Sequence, residues 1–179
     1  MMGGENQGSY LVAERIPEGS VGVEIGVWRG DTSQLFLERC AHLHLVDPWS
    51  LDQYRSGDFR DFLKRYRHIV GSMDSAAYVD YYRDVYKLVQ HRFETYPVTI
   101  HRMTSRYFFQ TFNEKVDWVY IDGLHDYENV LADLYGARAI LKPGGVIYGD
   151  DYGNKPGVQR AVDEYGGAEL LGKNQYAIA

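Results

Sequence analysis

Val23-Glu24-Ile25-Gly26-Val27-Trp28-Arg29-Gly30-Asp31-Thr32-Ser33 decides how the chain folds. An apolar run carrying an acid meets two glycines that bracket a tight turn. Thr32 and Ser33 then open a helix. Strand, glycine loop and helix N-terminus within about a dozen residues place a nucleotide-type pocket at the start of an α/β sheet.

The rest of the chain keeps the rhythm that this stretch sets. Val21–Ile25 reads as the first strand and 32–39 as a helix. His42-Leu43-His44-Leu45-Val46 is a second strand ending at Asp47. Tyr78, Tyr81, Tyr82, Val85, Leu88, Val89 and Phe93 mark one face of a long helix that Pro97 stops. Val98-Thr99-Ile100 is a third strand, followed by Met103-Thr104-Ser105 and a short helix. Val116–Ile121 is a fourth strand ending at Asp122-Gly123. A helix from Tyr127 to Leu141 follows, then a turn at Lys142-Pro143-Gly144-Gly145. Val146-Ile147-Tyr148 is a fifth strand ending at Asp150-Asp151. A helix over 157–165 and short strands at 168–171 and 175–178 complete the chain. Strands alternating with helices imply a mostly parallel sheet with helices on both faces. Residues 1–179 form one domain, and 49–75 read as an insertion over the carboxyl ends of the strands, where such sheets bind ligands.

Composition narrows the function. The chain has 179 residues, enough to bury a core, with 45% hydrophobic and 25% charged residues. A net charge of −6 with no basic tract disfavours a nucleic-acid partner. No apolar run approaches the ~18 residues of a membrane span, and Met1–Ser9 lacks the apolar core of a signal peptide. The one cysteine, Cys40, reads as a buried small hydrophobe, and a cytoplasmic setting is expected. The 16 tyrosines suit a pocket wall, the subunit interface of a homodimer, or the edge of a core.

Strand ends collect the candidate site. They are Gly26, Asp47, Met103 to Ser105, Asp122 and Asp150-Asp151. Asp47 lies 21 residues after Gly26 (47 − 26), where an acid can accept from both hydroxyls of a ribose. The loop is G-x-x-x-G, not G-x-G-x-x-G, and Glu24 precedes it. An acid there repels a pyrophosphate but can face an ammonium, so the loop suits a cofactor with an amino group and no phosphate. Trp28 and Trp49 follow the first two strands and are expected to line the pocket. Trp118 alternates with inward apolar residues and is assigned to the core, and Asp133 to a solvated helix face. His42, His44 and His101 are expected at surface or strand-edge positions.

Glu24-x-Gly26 with Gly30, Asp47, Asp122-Gly123-Leu124-His125-Asp126-Tyr127, Lys142-Pro143-Gly144-Gly145 and Asp150-Asp151 resembles the class I S-adenosylmethionine-dependent methyltransferases. The subgroup it is most similar to is a small bacterial type with an Asp-Gly-x-His-x-Tyr motif. The resemblance runs from about Val21 to Tyr165. It implies a Rossmann-like, seven-stranded sheet with one reversed strand. It implies that Glu24, Gly26, Trp28 and Gly30 serve the amino-acid half of S-adenosylmethionine, that Asp47 holds its ribose, and that Met103 to Ser105 lie near adenine. The tail after Tyr165 is short for the usual final hairpin, so a C-terminal truncation of the sheet is expected.

Asp122, Asp150 and Asp151 also resemble the acid layout of metal-dependent O-methyltransferases for catechols and macrolide sugars. That implies Mg²⁺ or another divalent cation on these three residues. Asp150-Asp151 as a turn or helix cap is the competing reading, as is Asp122 touching only cofactor or acceptor. His125 occupies the place of the catechol-type catalytic lysine, which makes it the candidate base with Asp122 beside it. A histidine that only holds its loop is the alternative. The expected reaction is methyl transfer to a small-molecule hydroxyl, with Trp49, Tyr54 and Phe59 as acceptor contacts. The alternatives are a cofactor-binding or hydroxylase-like relative without transferase activity, and an NAD-linked enzyme, which Glu24 and the loop argue against.

Overall fold

The computed structural model describes residues 8–54 and 59–179. The side chains of Tyr54 and Phe59 lie outside the described residues. Seven strands form one sheet: β1 (Val21–Ile25), β2 (His42–Val46), β3 (Val98–His101), β4 (Val116–Ile121), β5 (Leu141–Gly149), β6 (Glu169–Gly172) and β7 (Gln175–Ile178). Their order is β3-β2-β1-β4-β5-β7-β6, with β7 antiparallel to both of its neighbours and every other pair parallel. Order reverses at β1, between its neighbours β2 and β4. That is the switch point at which a crevice opens beyond the strand ends.

Helices cover both faces. On one lie α1 (Ser9–Ala13), α2 (Asp31–Phe36) and α4 (Ser75–Arg92). They bury Val12, Phe36, Val85 and Val89 against Leu43, Trp118 and Tyr120. On the other, α5 (Ser105–Thr111), α6 (Tyr127–Ile140) and α7 (Pro156–Tyr165) pack Phe108, Leu134 and Val162 against Val23, Val119 and Ile147. Trp118 is core, as its alternation implies. Its ring lies over Gly22, where a Cβ would come within 2.1 Å, and its Nε1 donates to Ser20 Oγ at 2.9 Å. Phe36 meets Trp118 and Tyr120 edge-on, with ring centroids 5.3 and 4.9 Å apart. Cys40 is buried and free. Among the described residues no helix is long and apolar enough to cross a membrane.

Four expectations need correction. The sheet is not truncated: Lys173 and Asn174, both at positive φ (49° and 65°), make a two-residue hairpin between β6 and β7. That turn matches strand twist and needs little chain. Lys142–Gly145 is not a free turn but an irregular segment inside β5, where the register with β4 shifts between Val116 and Trp118. Asp133 is 3% exposed, not solvated; it stands three residues after Val130 and four before Ala137, on the buried face of α6. His44 is 5% exposed, 3.1 Å from His101 through Nδ1, and its Nε2 has no hydrogen-bond partner. Burial, then the charges of His42 and His101, push its pKa down to about 4.

The 49–75 segment holds a 3₁₀ turn (Leu51–Tyr54) and the whole of α3 (Phe59–Val70). Leu51, Leu63 and Tyr78 form a small core of their own between α3 and α4. Asp74 caps α4 by accepting from Ala76 N–H at 3.0 Å.

Candidate functional site

Four hydrogen bonds carry the sheet ladder one residue past its strands. Asp47 N donates to His101 O, Gly26 N to Val46 O, Asp122 N to Ile25 O and Asp150 N to Ile121 O, at 2.8 to 3.2 Å. The strand ends therefore stand in one row, which is why residues far apart in sequence meet. Above the row lies a cavity of about 640 Å³. Its wall includes Gly26, Trp28, Asp47, Ser105, Asp122, His125 and Asp150 of the expected residues.

Gly26 is indispensable to this row. Its φ is +89°, and a Cβ there would sit 2.0 Å from the Asp122 carbonyl oxygen. Gly30 (φ +79°) opens α2 and packs against Phe93, away from the cavity wall. Gly30 N closes the loop onto Val27 O at 2.8 Å.

Asp47 braces the loop as well as facing the cavity. One carboxylate oxygen accepts from Trp28 N at 3.0 Å and the other from Trp49 N at 2.7 Å. Burial raises its pKa, against the backbone N–H groups of Trp28, Trp49 and Val27. Three N–H groups take three of the carboxylate's four lone-pair sites, so one ribose hydroxyl can still be accepted. Trp28 stands at the rim at φ 47°, with Nε1 donating to Tyr81 Oη at 2.9 Å. Trp49, expected on the wall, is 1% exposed; it supports the loop from below, its Nε1 donating to Trp28 O at 2.8 Å. Met103 packs against the core cluster under α5 and α6, while its neighbours Thr104 and Ser105 reach the wall.

Glu24 is not on the wall. It is 1% exposed and accepts from Ser33 Oγ at 2.5 Å. Burial raises its pKa from 4.5 to about 8, with Asp122 and Asp47 adding to the rise and Ser33 and Arg92 opposing it. A neutral acid under the loop secures α2 and does not present a charge to an ammonium. Between pH 4.5 and 8 the unfolded chain loses this proton while the folded chain keeps it, so stability falls as pH rises. Glu24→Gln removes that slope. The variant gains on the native chain by on the order of a few kcal/mol between pH 5 and pH 8.5, read from urea unfolding at both values. An equal gap at the two pH values contradicts the assignment.

At the β4 and β5 ends, one ligand atom each of Asp122, His125 and Asp151 lies within 4.8 Å of the others. His125 Nε2 is 3.2 Å from Asp151 Oδ2 and 3.5 Å from Asp122 Oδ1. Neither contact has hydrogen-bond geometry, so this buried nitrogen has no hydrogen-bond partner. Burial works against a charged ring, but Asp122 and then Asp151 outweigh it and hold the His125 pKa above its ordinary value. Asp122 rises to about 6, chiefly through burial. Asp150 stands outside this trio, its Oδ1 accepting from Asp151 N at 2.6 Å. A strand sends successive side chains to opposite faces, and Asp151 leaves β5 at φ +66°.

Several wall residues carry no sequence signal of a pocket. Ser9, from the unforeseen α1, reaches Thr32 Oγ1 at 3.5 Å. Asp133 lies beside Ser105, with a pKa that burial lifts to about 7 against the Ser105 hydrogen bond. Tyr66, Ile69, Val70, Tyr78, Tyr81 and Tyr82 from α3 and α4 form the opposite wall. The tyrosine excess and the 49–75 insertion over the strand ends were the hints of them.

A family profile described as "Methyltransferase domain" matches residues 23–152. No curated protein matches the chain. Among solved structures, the chain is similar to an rRNA methylase from Streptococcus thermophilus (11% identity, 99% of this chain and 95% of that one, TM-score 0.60). It is also similar to SMU.1697c, a putative methyltransferase from Streptococcus mutans in complex with SAH (8% identity, 99% and 97%, TM-score 0.58). A third similar structure is CalS11, a TDP-rhamnose 3′-O-methyltransferase of calicheamicin biosynthesis (18% identity, 95% and 74%, TM-score 0.54). With a sheet of order 3-2-1-4-5-7-6 and a family match over most of its length, the chain belongs to the methyltransferase-domain family and is a class I S-adenosylmethionine-dependent methyltransferase.

Proposed function

We propose that the protein methylates a hydroxyl of a small molecule, with His125 as the base. S-adenosylmethionine supplies the methyl group from a sulfonium centre. Gly26, Trp28, Asp47 and Ser105 line the cavity that would hold it, with Gly30 and Glu24 shaping the loop from behind. The cradle suits this cofactor because Gly26 lets the loop turn tightly against the Asp122 backbone on the cavity wall and because Asp47 keeps acceptor capacity.

The observation that carries the reading is His125 Nε2, buried in the cavity rim between two carboxylates. There Asp122 and Asp151 stabilise the imidazolium that forms when the ring takes the acceptor's proton. The wall of α3 and α4 is mostly apolar and aromatic, and it orients the acceptor and excludes water. This supports the 49–75 insertion as a lid. A small acceptor is preferred to RNA because the net charge is −6 and the cavity is walled by this helix pair. A cytoplasmic setting and a homodimer belong to the same reading.

One observation favours a second version. A buried nitrogen 3.2 and 3.5 Å from two carboxylates suits a divalent cation. Asp122, His125 and Asp151 would hold it, and its Lewis acidity would serve the acceptor oxygen. Asp150 is then replaced by His125 in the ligand set. The test is transfer of labelled methyl from S-adenosylmethionine to panels of small alcohols, phenols and sugars, and to RNA, with and without EDTA. Transfer to a small hydroxyl that survives EDTA is the expected result. Loss with EDTA and with Asp151→Ala alike selects the cation version, and transfer to RNA alone overturns both.

A further inference from the structure

Asp151 reaches His125 because the chain turns sharply after β5. Asp151 lies at φ +66°, and a residue other than glycine stays in that region only where its surroundings hold it. On one side, Asn154 Nδ2 donates to Asp151 Oδ1 at 2.8 Å, and Asn154 N and Lys155 N donate to Asp151 O at 3.1 and 3.0 Å. On the other, Asp151 N donates to Asp150 Oδ1 at 2.6 Å. That side of the turn is only as fixed as the Asp150 carboxylate.

The C-terminal hairpin supplies what fixes it. Gln175 opens β7 and is 1% exposed. Its Oε1 accepts from Tyr120 Oη at 3.1 Å, and its side chain also hydrogen-bonds Asp150. A carboxylate only accepts, so the group that faces Asp150 is the amide Nε2. Turning the amide over would set its oxygen against that carboxylate. Tyr120 is fully buried, which keeps its hydroxyl protonated and a donor, and Ser9 of α1 hydrogen-bonds the same hydroxyl. Gly8 closes the far side: a Cβ there would sit 2.8 Å from Gln175 Nε2. Ser9, Tyr120, Gln175, Asp150 and Asp151 thus form one directed series of hydrogen bonds, running beneath the cavity from α1 to the end of β5.

We propose that Gln175 is a positioning residue for the reaction: its amide fixes the Asp150 carboxylate, which holds the turn that aims Asp151 at His125. This rests on His125 and Asp151 as working groups of the site, in either version given above.

Gln175→Glu tests it, since the side chain keeps its size and an acceptor for Tyr120 but loses the donor to Asp150. The readouts are the Asp151 amide proton by NMR and methyl transfer to the small alcohol, phenol or sugar that the panel above yields. The amide resonance moves upfield as its bond to Asp150 loosens. The kcat falls by about 10- to 100-fold, as when the partner that orients a working side chain is removed. The acceptor KM and the Kd of S-adenosylhomocysteine stay within about twofold, since only the transition state uses the aimed carboxylate. Gly8→Ala keeps the amide but pushes on its Nε2, so it moves both readouts the same way by less, and it serves where Gln175→Glu does not fold. In an Asp151→Ala background Gln175→Glu costs kcat no more than about twofold, because the carboxylate it aims is gone. An unmoved Asp151 amide with native kcat in both variants overturns the proposal. So does an equally large loss in the Asp151→Ala background, or a rise in KM and Kd with kcat unchanged. A His125→Ala variant that turns over normally overturns the role of His125 and the proposal with it. An inactive His125→Ala beside a fully active Gln175→Glu overturns the proposal alone.

Discussion

Gly26→Ala abolishes S-adenosylhomocysteine binding, with an expected loss of at least about 100-fold, and costs the fold on the order of a few kcal/mol. Two effects add at this position. At φ +89° any side chain is strained, and a Cβ would come 2.0 Å from the Asp122 carbonyl oxygen. The obstacle is backbone, so no rotamer relieves it. β1 and β4 must part where Asp122 N donates to Ile25 O at 2.8 Å. The same movement displaces the Val27–Trp28 amides that Asp47 holds. Gly19→Ala separates strain from collision: its φ is +70°, but nothing lies within 4 Å of the added atom. That variant is expected to lose about 1 kcal/mol and to bind the ligand normally. Calorimetry and urea unfolding on both variants check the pair. Native-like binding by Gly26→Ala would mean that the cofactor does not lie against this loop.

The two variants also mark how far the sequence could be read. Strand ends were legible because four of the five parallel runs stop at a glycine or an acid, β3 ending instead at His101-Arg102, and crossover topology puts all such ends on one side. Gly26, Asp47 and Asp122 followed from that rule. What lies above the ends was not legible. Glu24 and Asp47 are both acids of the sheet, yet burial beneath the loop raises Glu24 to about 8, while Asp47 reaches the cavity wall and is braced by three backbone N–H groups. Asp133 shares its helix phase with Val130 and Ala137 and escaped only because an acid is ordinarily set on the solvated face. Asp150 and Asp151 were equivalent in sequence, but one turn at positive φ sends only Asp151 to His125. The final hairpin looked too short because its turn uses only two residues.

His125→Ala is expected to lower kcat by about 10²- to 10⁴-fold, the usual contribution of a positioned base. Cofactor affinity should change little, since Gly26 and Asp47 stand on other strands. The pH profile gives the sharper readout. A base works unprotonated, and the His125 pKa is held above 6.5 by Asp122 and Asp151 against burial. Native turnover therefore rises with pH, with its half-maximum above 6.5, and falls away in weak acid. In His125→Ala that limb is lost along with the rate. Asp151→Asn removes one of the two carboxylates, so the ring loses its proton more easily and the limb moves to lower pH. The cation version predicts otherwise: EDTA silences the native chain as completely as His125→Ala does, and excess divalent metal restores the native chain alone. A native chain active in EDTA with an acid limb that Asp151→Asn shifts downward leaves His125 as the base. Turnover and pH profile unchanged in His125→Ala would remove it from the chemistry and make the Asp122–His125–Asp151 contact a brace for the loops after β4 and β5.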